Sequence, residues 1–413
     1  MKSEFYIARR LSDRRRGARA GIMERVATVA TAVSLMVIIV TLSVVVGFKQ
    51  ELEELLSGAI ADIVVTAPQS GGLVSGVGVE RSTSLEELFD NAEVKSFSAY
   101  RAKEGVIKSD ESIVGVVLKG VDTLYDMSFF REHITEGGLP RIGGEPRSKD
   151  VILSESVAQS MKVTVGERIE MLFVDERGQM LRDRFQVAGL YATGVDIIDQ
   201  GILLTDIRNV ARLYEGDNNI VTGYELWMHE GVDKDDYGAR LNIALADIYF
   251  EEGIDVEAFT LQRLFPHIYG WLATHDVNAV VIVVIMIVVA LLNMATSLLI
   301  IVLERQRMIG ELRAMGMRRR GIVTIFLFRA LFIIMRGVSV GALLGVVVAA
   351  VQHYWHIIPL PTEGYMLSAV PTAMCWGWWL VAVAGVVVVT MAILTLPAMV
   401  AARISPAETM KYE

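Results

Sequence analysis

Residues 277–303 read VNAVVIVVIMIVVALLNMATSLLIIVL, without one charged side chain. A helix rises about 1.5 Å per residue, so this run is long enough to cross a hydrocarbon core of about 30 Å. Outward from it lie three more long apolar runs, Val26–Val46, Ile322–Val351 and Met374–Val400. Each exceeds the roughly 18 residues that argue for a membrane-spanning helix. Between them the 413-residue chain reads like an ordinary soluble protein. Its 53% hydrophobic and 21% charged residues are therefore an average over two populations. The pattern excludes a plain cytosolic enzyme, a disordered chain and a disulfide scaffold. The single cysteine, Cys375, allows neither an intrachain disulfide nor a cysteine metal site.

Charge assigns the sides. Residues 1–25 carry eight Lys/Arg against three acids, and residues 304–321 carry six Arg against two Glu. Residues 48–277 carry 21 basic side chains against 40 acidic ones. Short positive segments stay in the cytoplasm, while long domains cross largely regardless of charge. The expected topology thus has cytoplasmic termini (1–25 and 401–413), spans at 26–47, 277–303, 322–351 and 374–400, and a cytoplasmic turn at 304–321. Residues 48–276 form an extracytoplasmic domain and 352–373 an outer loop. Five of the six tryptophans (Trp271, Trp355, Trp376, Trp378, Trp379) fall at the outer ends of spans, the level that amphipathic rings favour. The first run is too long for a signal-peptide core, and the helix-like KQELEELL (49–56) follows it.

The domain between the first two spans reads as α+β. Strands are expected at Ile60–Ala67, at Ile169–Val174 and Arg184–Gly189, and as a hairpin around Lys108–Glu111. Helices are expected at Ser84–Glu93, with Ser84 as N-cap, and at Ser154–Met161, Asp206–Tyr214 and Asp235–Ala246. The breaker-rich Gly137–Pro146 is the expected division within it. Catalytic chemistry is sparse. His353 and His356 have helical spacing without a carboxylate cluster, and the glycine-rich Ser70–Gly78 lacks the Lys-Ser/Thr of a phosphate loop. No enzyme active site and no bound cofactor or metal are expected in this chain.

The cytoplasmic turn, ERQRMIGELRAMGMRRRG (304–321), carries the sharpest pattern. Met308, Ile309, Leu312 and Met315 share one face of a short helix, with Arg305, Glu311 and Arg318 on the other. Such a helix either lies at the membrane surface, anchored by arginines, or docks in a groove of a cytoplasmic partner. Gly310 and Gly316 cost helix stability, and close backbone approach is one reason to keep them. In the third span Gly337, Gly341 and Gly345 repeat every fourth residue, a stripe that lets helix backbones meet. Arg329 and Arg336 share one face of that span. Arg329 lies about 10 Å from the span's start, within snorkelling reach of the cytoplasm. Arg336 either sits near mid-bilayer or the span begins later. The second span is expected to continue from Pro266 to Leu303 as one helix of about 57 Å.

Glu304-Arg305, Ile309-Gly310, Leu312, Ala314 and Gly316 resemble the ER…IG.L.A.G signature of FtsX-like ABC transporter permeases. Four spans, the N-terminal FYIARRL, the C-terminal ISPAETMKYE and the ectodomain after the first span resemble the LolC/LolE-type lipoprotein-releasing permeases. The absence of a Walker A motif argues against a fused ATPase, as in MacB. The resemblance implies a bacterial inner-membrane, multi-pass, non-catalytic subunit that pairs with an identical or paralogous permease subunit. It further implies a separate cytoplasmic ATPase that holds ATP and Mg, a lipoprotein substrate, a periplasmic carrier and membrane lipids as partners, and no nucleic acid. It implies coupling to the ATPase through Glu304, Arg305, Met308, Ile309, Gly310, Leu312, Arg313, Ala314, Met315 and Gly316. It implies core and porter subdomains in the ectodomain. By position, the hairpin Phe173–Phe185 matches the carrier-gripping hook, with Arg177, Met180, Leu181 and Arg182 as carrier contacts. The hairpin is shorter than that hook and lacks its prolines, so an ordinary structural hairpin stands beside this reading. The competing functions are a MacB-like exporter of peptides or small molecules, an FtsX-like regulator of an extracellular hydrolase, and a membrane-anchored sensor without an ATPase.

Overall fold

A computed structural model describes residues 18–68, 74, 78–108, 112–174, 178–214, 219–360, 367 and 369–401. Four helices among them are long and apolar enough to cross a membrane: Ala18–Ala59, Pro266–Glu304, Arg319–Trp355 and Trp376–Ala401. The first and second are longer than the apolar runs within them. The second is unbroken over its 39 residues, including Trp271–Asn278, so at about 1.5 Å per residue it exceeds the hydrocarbon thickness by tens of ångströms. The chain divides into two compact units, one holding the long helices up to Gln50, Leu272–Pro359 and the chain from Ala369, the other Glu51–Trp271 with Leu360–Ser368.

In the helical unit a core of Leu35, Ile38, Leu298, Phe326, Ile334 and Leu394 is buried. Two of its buried hydroxyls are satisfied within their own helix, as hydrocarbon favours, whereas the Thr390 hydroxyl has no partner among the described residues. Thr31 donates to the Ala27 carbonyl at 2.9 Å, and Ser43 to Ile39 at 2.8 Å. Trp379 is not at a lipid-facing surface. It is buried, and its indole N–H donates to Ser43 Oγ at 3.0 Å.

Among the described residues, the second unit carries twelve strands. They are β1 (Ile63–Thr66), β2 (Val79–Glu80), β3 (Val94–Lys108), β4 (Ile113–Val121), β5 (Ile134–Gly137) and β6 (Asp150–Ser154). β7 (Arg168–Val174), β8 (Met180–Tyr191), β9 (Ile202–Asp206), β10 (Ile220–Val221), β11 (Gly223–Met228) and β12 (Glu257–Thr260) follow. The sheet runs β12-β1-β11-β3 at one end, covered by the helices Thr83–Phe89 and Lys234–Glu252 over Leu85, Phe89, Tyr224 and Leu241. At the other end β3, β4, β9, β6, β8 and β7 pair in turn, and β7 returns to β3. That closure makes a six-stranded barrel with parallel β4–β9 and β6–β8 pairs, filled by Leu118, Met171, Phe173, Phe185 and Leu203. Closure removes free edges, which an open sheet must otherwise protect.

The coarse α+β expectation holds, and the closed mixed barrel is an addition to it. The two cores do not part at Gly137–Pro146. They share β3, whose first half pairs with β11 and whose second half pairs with β4 and β7. Short polar residues set the helix starts. Ser154 Oγ accepts from Val157 N at 3.2 Å, and Asp233 accepts from Asp235 N and Asp236 N. The first ectodomain helix begins two residues earlier than its capping pattern suggested. Ser82, not Ser84, is its N-cap: its Oγ accepts from Ser84 N at 3.1 Å, and both serine hydroxyls donate to the Glu252 carboxylate.

A fully buried ion pair lies inside this unit. Lys119 Nζ stands 2.6 Å from Glu225, both buried, with the Lys119 amine also near the Ala59 carbonyl at 3.3 Å. Burial pushes the Glu225 carboxyl up to about 7, opposed by the attraction of Lys119. Burial likewise holds the Lys119 amine below its ordinary value.

Candidate functional site

The turn between the second and third long helices folds as the helix Gln306–Ala314. Its C-terminus is closed by Gly316, at φ +87°, where an L side chain would be strained. Gly316 N–H donates to Arg313 O and Met317 N–H to Leu312 O, each at 3.0 Å, the paired bonds of a Schellman cap. Nothing lies within 4 Å of where a Gly316 Cβ would stand, so termination rather than close approach accounts for this glycine.

The apolar stripe of this helix divides. Ile309 is 1% exposed and belongs to the core of its own helical unit, with Met308 packed against that core. Met315 is 75% exposed, and Glu304, Glu311 and Ala314 are exposed with it. Leu312, Gly310, Arg305 and Arg313 are half-buried. The expectation that the whole stripe faces outward is therefore corrected: its Met308–Ile309 end is consumed by packing within the chain. The surface left open is Glu304, Glu311, Ala314 and Met315.

The third long helix packs on the first along its glycines. A Cβ on Gly341 would stand 2.4 Å from the Ala32 carbonyl oxygen and 2.8 Å from Ala32 Cα. On Gly337 it would meet Thr31 Cβ at 2.8 Å, and on Gly345 Ile39 Cβ at 2.9 Å. Contact numbers rise together along both helices, so the two run parallel, as spans separated by one full hairpin must. At the same seam Arg329 is buried and does not snorkel. Its Nε and Nη2 both donate to Glu24 Oε1, the former at 3.0 Å. Arg336, seven residues on, is exposed at the surface of the chain.

The hairpin β7–β8 is in register from Arg168↔Gln186 to Val174↔Met180. Met180 is 70% exposed, whereas Leu181 points to the barrel core, because neighbouring residues of a strand face opposite sides. The pair was expected to be exposed together, and only Met180 is. Arg182 and Arg184 lie 3.7 and 3.3 Å from Glu170 on the adjacent strand. Arg177 lies outside the described residues.

The model of the MacB-like periplasmic core domain family matches residues 26–244, more than half of the chain, and that of the FtsX-like permease C-terminal family matches 280–406. The chain belongs to the MacB/FtsX-like permease family. The permease is 23% identical over 419 residues to the lipoprotein-releasing system transmembrane protein LolC of Xylella fastidiosa (strain 9a5c), covering 98% of this chain and 97% of that protein. It is 21% identical over 429 residues to LolE of Haemophilus influenzae, covering 99% of both. A solved structure, the periplasmic region of MacB from Actinobacillus actinomycetemcomitans, is 13% identical with a TM-score of 0.33, covering 53% of this chain and 98% of that one. The permease is thus a membrane-embedded subunit of the ABC transporter type, similar over nearly its full length to LolC and LolE. Sequence reading missed the Glu24–Arg329 pair, because a lone Glu before the first apolar run reads as a flank. The signal available was the arginine itself, since a charge inside an apolar helix calls for a partner.

Proposed function

We propose that the permease draws lipid-anchored proteins out of the bacterial inner membrane and hands them to a soluble periplasmic carrier. The observation that supports this reading is a likeness to LolC and LolE that runs end to end rather than over one domain. In this reading the permease pairs with an identical or paralogous subunit, and two separate ATPase chains hold ATP and Mg. The termini and residues 304–321 are cytoplasmic, and Glu51–Trp271 is periplasmic. The helix Gln306–Ala314 takes up the motion of the ATPases. Ile309 fixes it to the helical core, so a push on its outer face moves the core rather than the turn alone. Met315, Ala314 and Glu311 make the contact with the ATPase. Met180, at the tip side of β8, is the apolar residue that the hairpin offers a carrier.

Substitution at the outer face tests the coupling. Met315→Asp should reduce co-purification of the ATPase at least tenfold, because an interface core does not accommodate a desolvated carboxylate. Met315→Leu should preserve it. Release is then measured in proteoliposomes holding a fluorescent lipidated protein, with ATP and soluble carrier present. ATP-dependent transfer to the carrier is the expected outcome. Peptide export without a carrier, or activation of an extracellular hydrolase with nothing moved, would replace this reading by an exporter or a regulator. Unchanged ATPase association in Met315→Asp would remove the assigned contact.

A further inference from the structure

A cavity of about 450 Å³ opens in the ectodomain where the two cores meet along β3. Five arginines line it: Arg81, Arg101, Arg147, Arg208 and Arg212. They come from five places in the chain, after β2, within β3, before β6 and from both ends of the short helix Ile207–Ala211, so folding alone brings them together. Among the described residues lining it, none is acidic. Ile207, Ile220 and Val221 give it an apolar side.

Among the described residues, carboxylates pair with two of these five arginines, Arg208 and Arg81. Arg208 pairs with Asp206 at 2.7 Å and Glu145 at 3.0 Å, and Arg81 with Asp122 at 3.4 Å. Arg147 donates to a neutral acceptor, the Arg208 carbonyl, at 3.1 Å. Arg212 has no carboxylate partner among the described residues. Arg101 is buried and lies 5.0 Å over the Tyr214 ring. Lys103 Nζ approaches the same ring at 4.1 Å and donates to the Leu213 carbonyl at 3.0 Å. Arg147 is held below the ordinary guanidinium value, first by burial and then by the like charge of Arg212 and Arg208, with Asp183 and Asp206 acting against them. Crowded cations of this sort cost stability unless an anion joins them.

We propose that this cavity is a binding site for a phosphate-bearing anion. The guanidinium fork matches tetrahedral oxyanions bidentately and keeps its charge at any physiological pH. A volume of about 450 Å³ is in the range of small-molecule sites and exceeds what a bare phosphate fills. The apolar side then faces the uncharged part of the ligand. A free phosphorylated solute and an anionic lipid headgroup share this chemistry. The site is independent of which cargo the permease moves.

The test uses the full-length protein in phosphatidylcholine nanodiscs at low salt. One arm titrates inorganic pyrophosphate by calorimetry. The other measures binding to vesicles of phosphatidylglycerol against vesicles of phosphatidylcholine. Saturable binding in either arm is expected, the arm identifying the source. Arg147→Gln with Arg212→Gln should weaken it at least tenfold, and Arg147→Lys, which keeps charge but loses the fork, should weaken it less. Arg212→Gln alone, at an exposed position, covers the case in which the double variant fails to fold, and should still weaken binding severalfold. Hydrogen exchange of β3 and β9 verifies that each variant is folded. Absence of saturable binding by the unmodified protein in both arms overturns the proposal. So does equal affinity in the folded Arg212→Gln and Arg147→Gln variants.

Discussion

Removing Glu24 takes the carboxylate away from a buried guanidinium inside the helical unit. Arg329 and Glu24 are 4% and 9% exposed, and the side chains around Arg329 include Leu298, Phe326 and Ile333, none of which can replace the carboxylate. Breaking a buried pair by deleting one partner costs about 3–5 kcal/mol, because the remaining group loses water without gaining a partner. Glu24→Leu, which leaves the guanidinium without its carboxylate, is expected to destabilise by an amount in that range, and Arg329→Met, which keeps most of the volume, to destabilise as well. The double replacement Glu24→Leu with Arg329→Met leaves no orphaned charge. It should cost far less than the two single changes together, leaving a coupling energy of about 3 kcal/mol or more. Reversible unfolding of the full-length protein in mixed micelles, followed by denaturant titration, measures all four corners of the cycle. Single losses below about 1 kcal/mol, or simple additivity, would refute the reasoning and return the pair to the class of solvated surface bridges.

Three other outcomes follow from the packing and the charges. Gly341→Ala forces a methyl onto the Ala32 backbone, so the overpacking cost of about 1–3 kcal/mol should exceed the helix-propensity gain of about 1 kcal/mol. Gly385→Ala in the fourth long helix meets nothing within 4 Å, and in the same unfolding assay it should be neutral or stabilising. Glu225 is raised from an ordinary 4.5 to about 7, so the unfolded chain releases this proton first and stability falls as pH rises from about 4.5 to about 7. The size is on the order of 3 kcal/mol, at 1.36 kcal/mol per pH unit. Hydrogen exchange of the Gly223–Met228 segment across that interval should show the loss, and Glu225→Gln should flatten it. A flat profile in the unmodified protein would exclude this linkage.

The helical part of the fold was legible because burial in lipid needs long uncharged runs, and such runs are hard to mistake. The helices starting at Ser154 and Asp206 were legible, and both residues cap them. The one cap read from the sequence, Ser84, lies two residues past the true cap Ser82. What stayed hidden depends on partners distant in sequence. β3 was recognisable only in its last residues, since Lys95, Arg101, Lys103 and Glu104 interrupt its alternation, and tertiary burial overrides that local pattern. Closure of the barrel rests on β7 meeting β3 about 65 residues away, which no periodicity announces. In the candidate coupling element the stripe was visible, but which end of it the chain itself would cover was not. The arginine cavity left only one local trace, the i,i+4 pair Arg208 and Arg212.

β3 also bears on how such a domain can change over evolutionary time. Its fifteen residues supply an inner face to two separate cores, and consecutive residues alternate between faces. A one-residue insertion near Tyr100 would keep one core in phase and turn the other's side chains outward. Length changes are therefore excluded from the middle of this strand while point substitutions remain admissible. Lineages of such permeases should vary in the length of the loops that β3 connects, and hold the span from Val94 to Lys108 to a constant count.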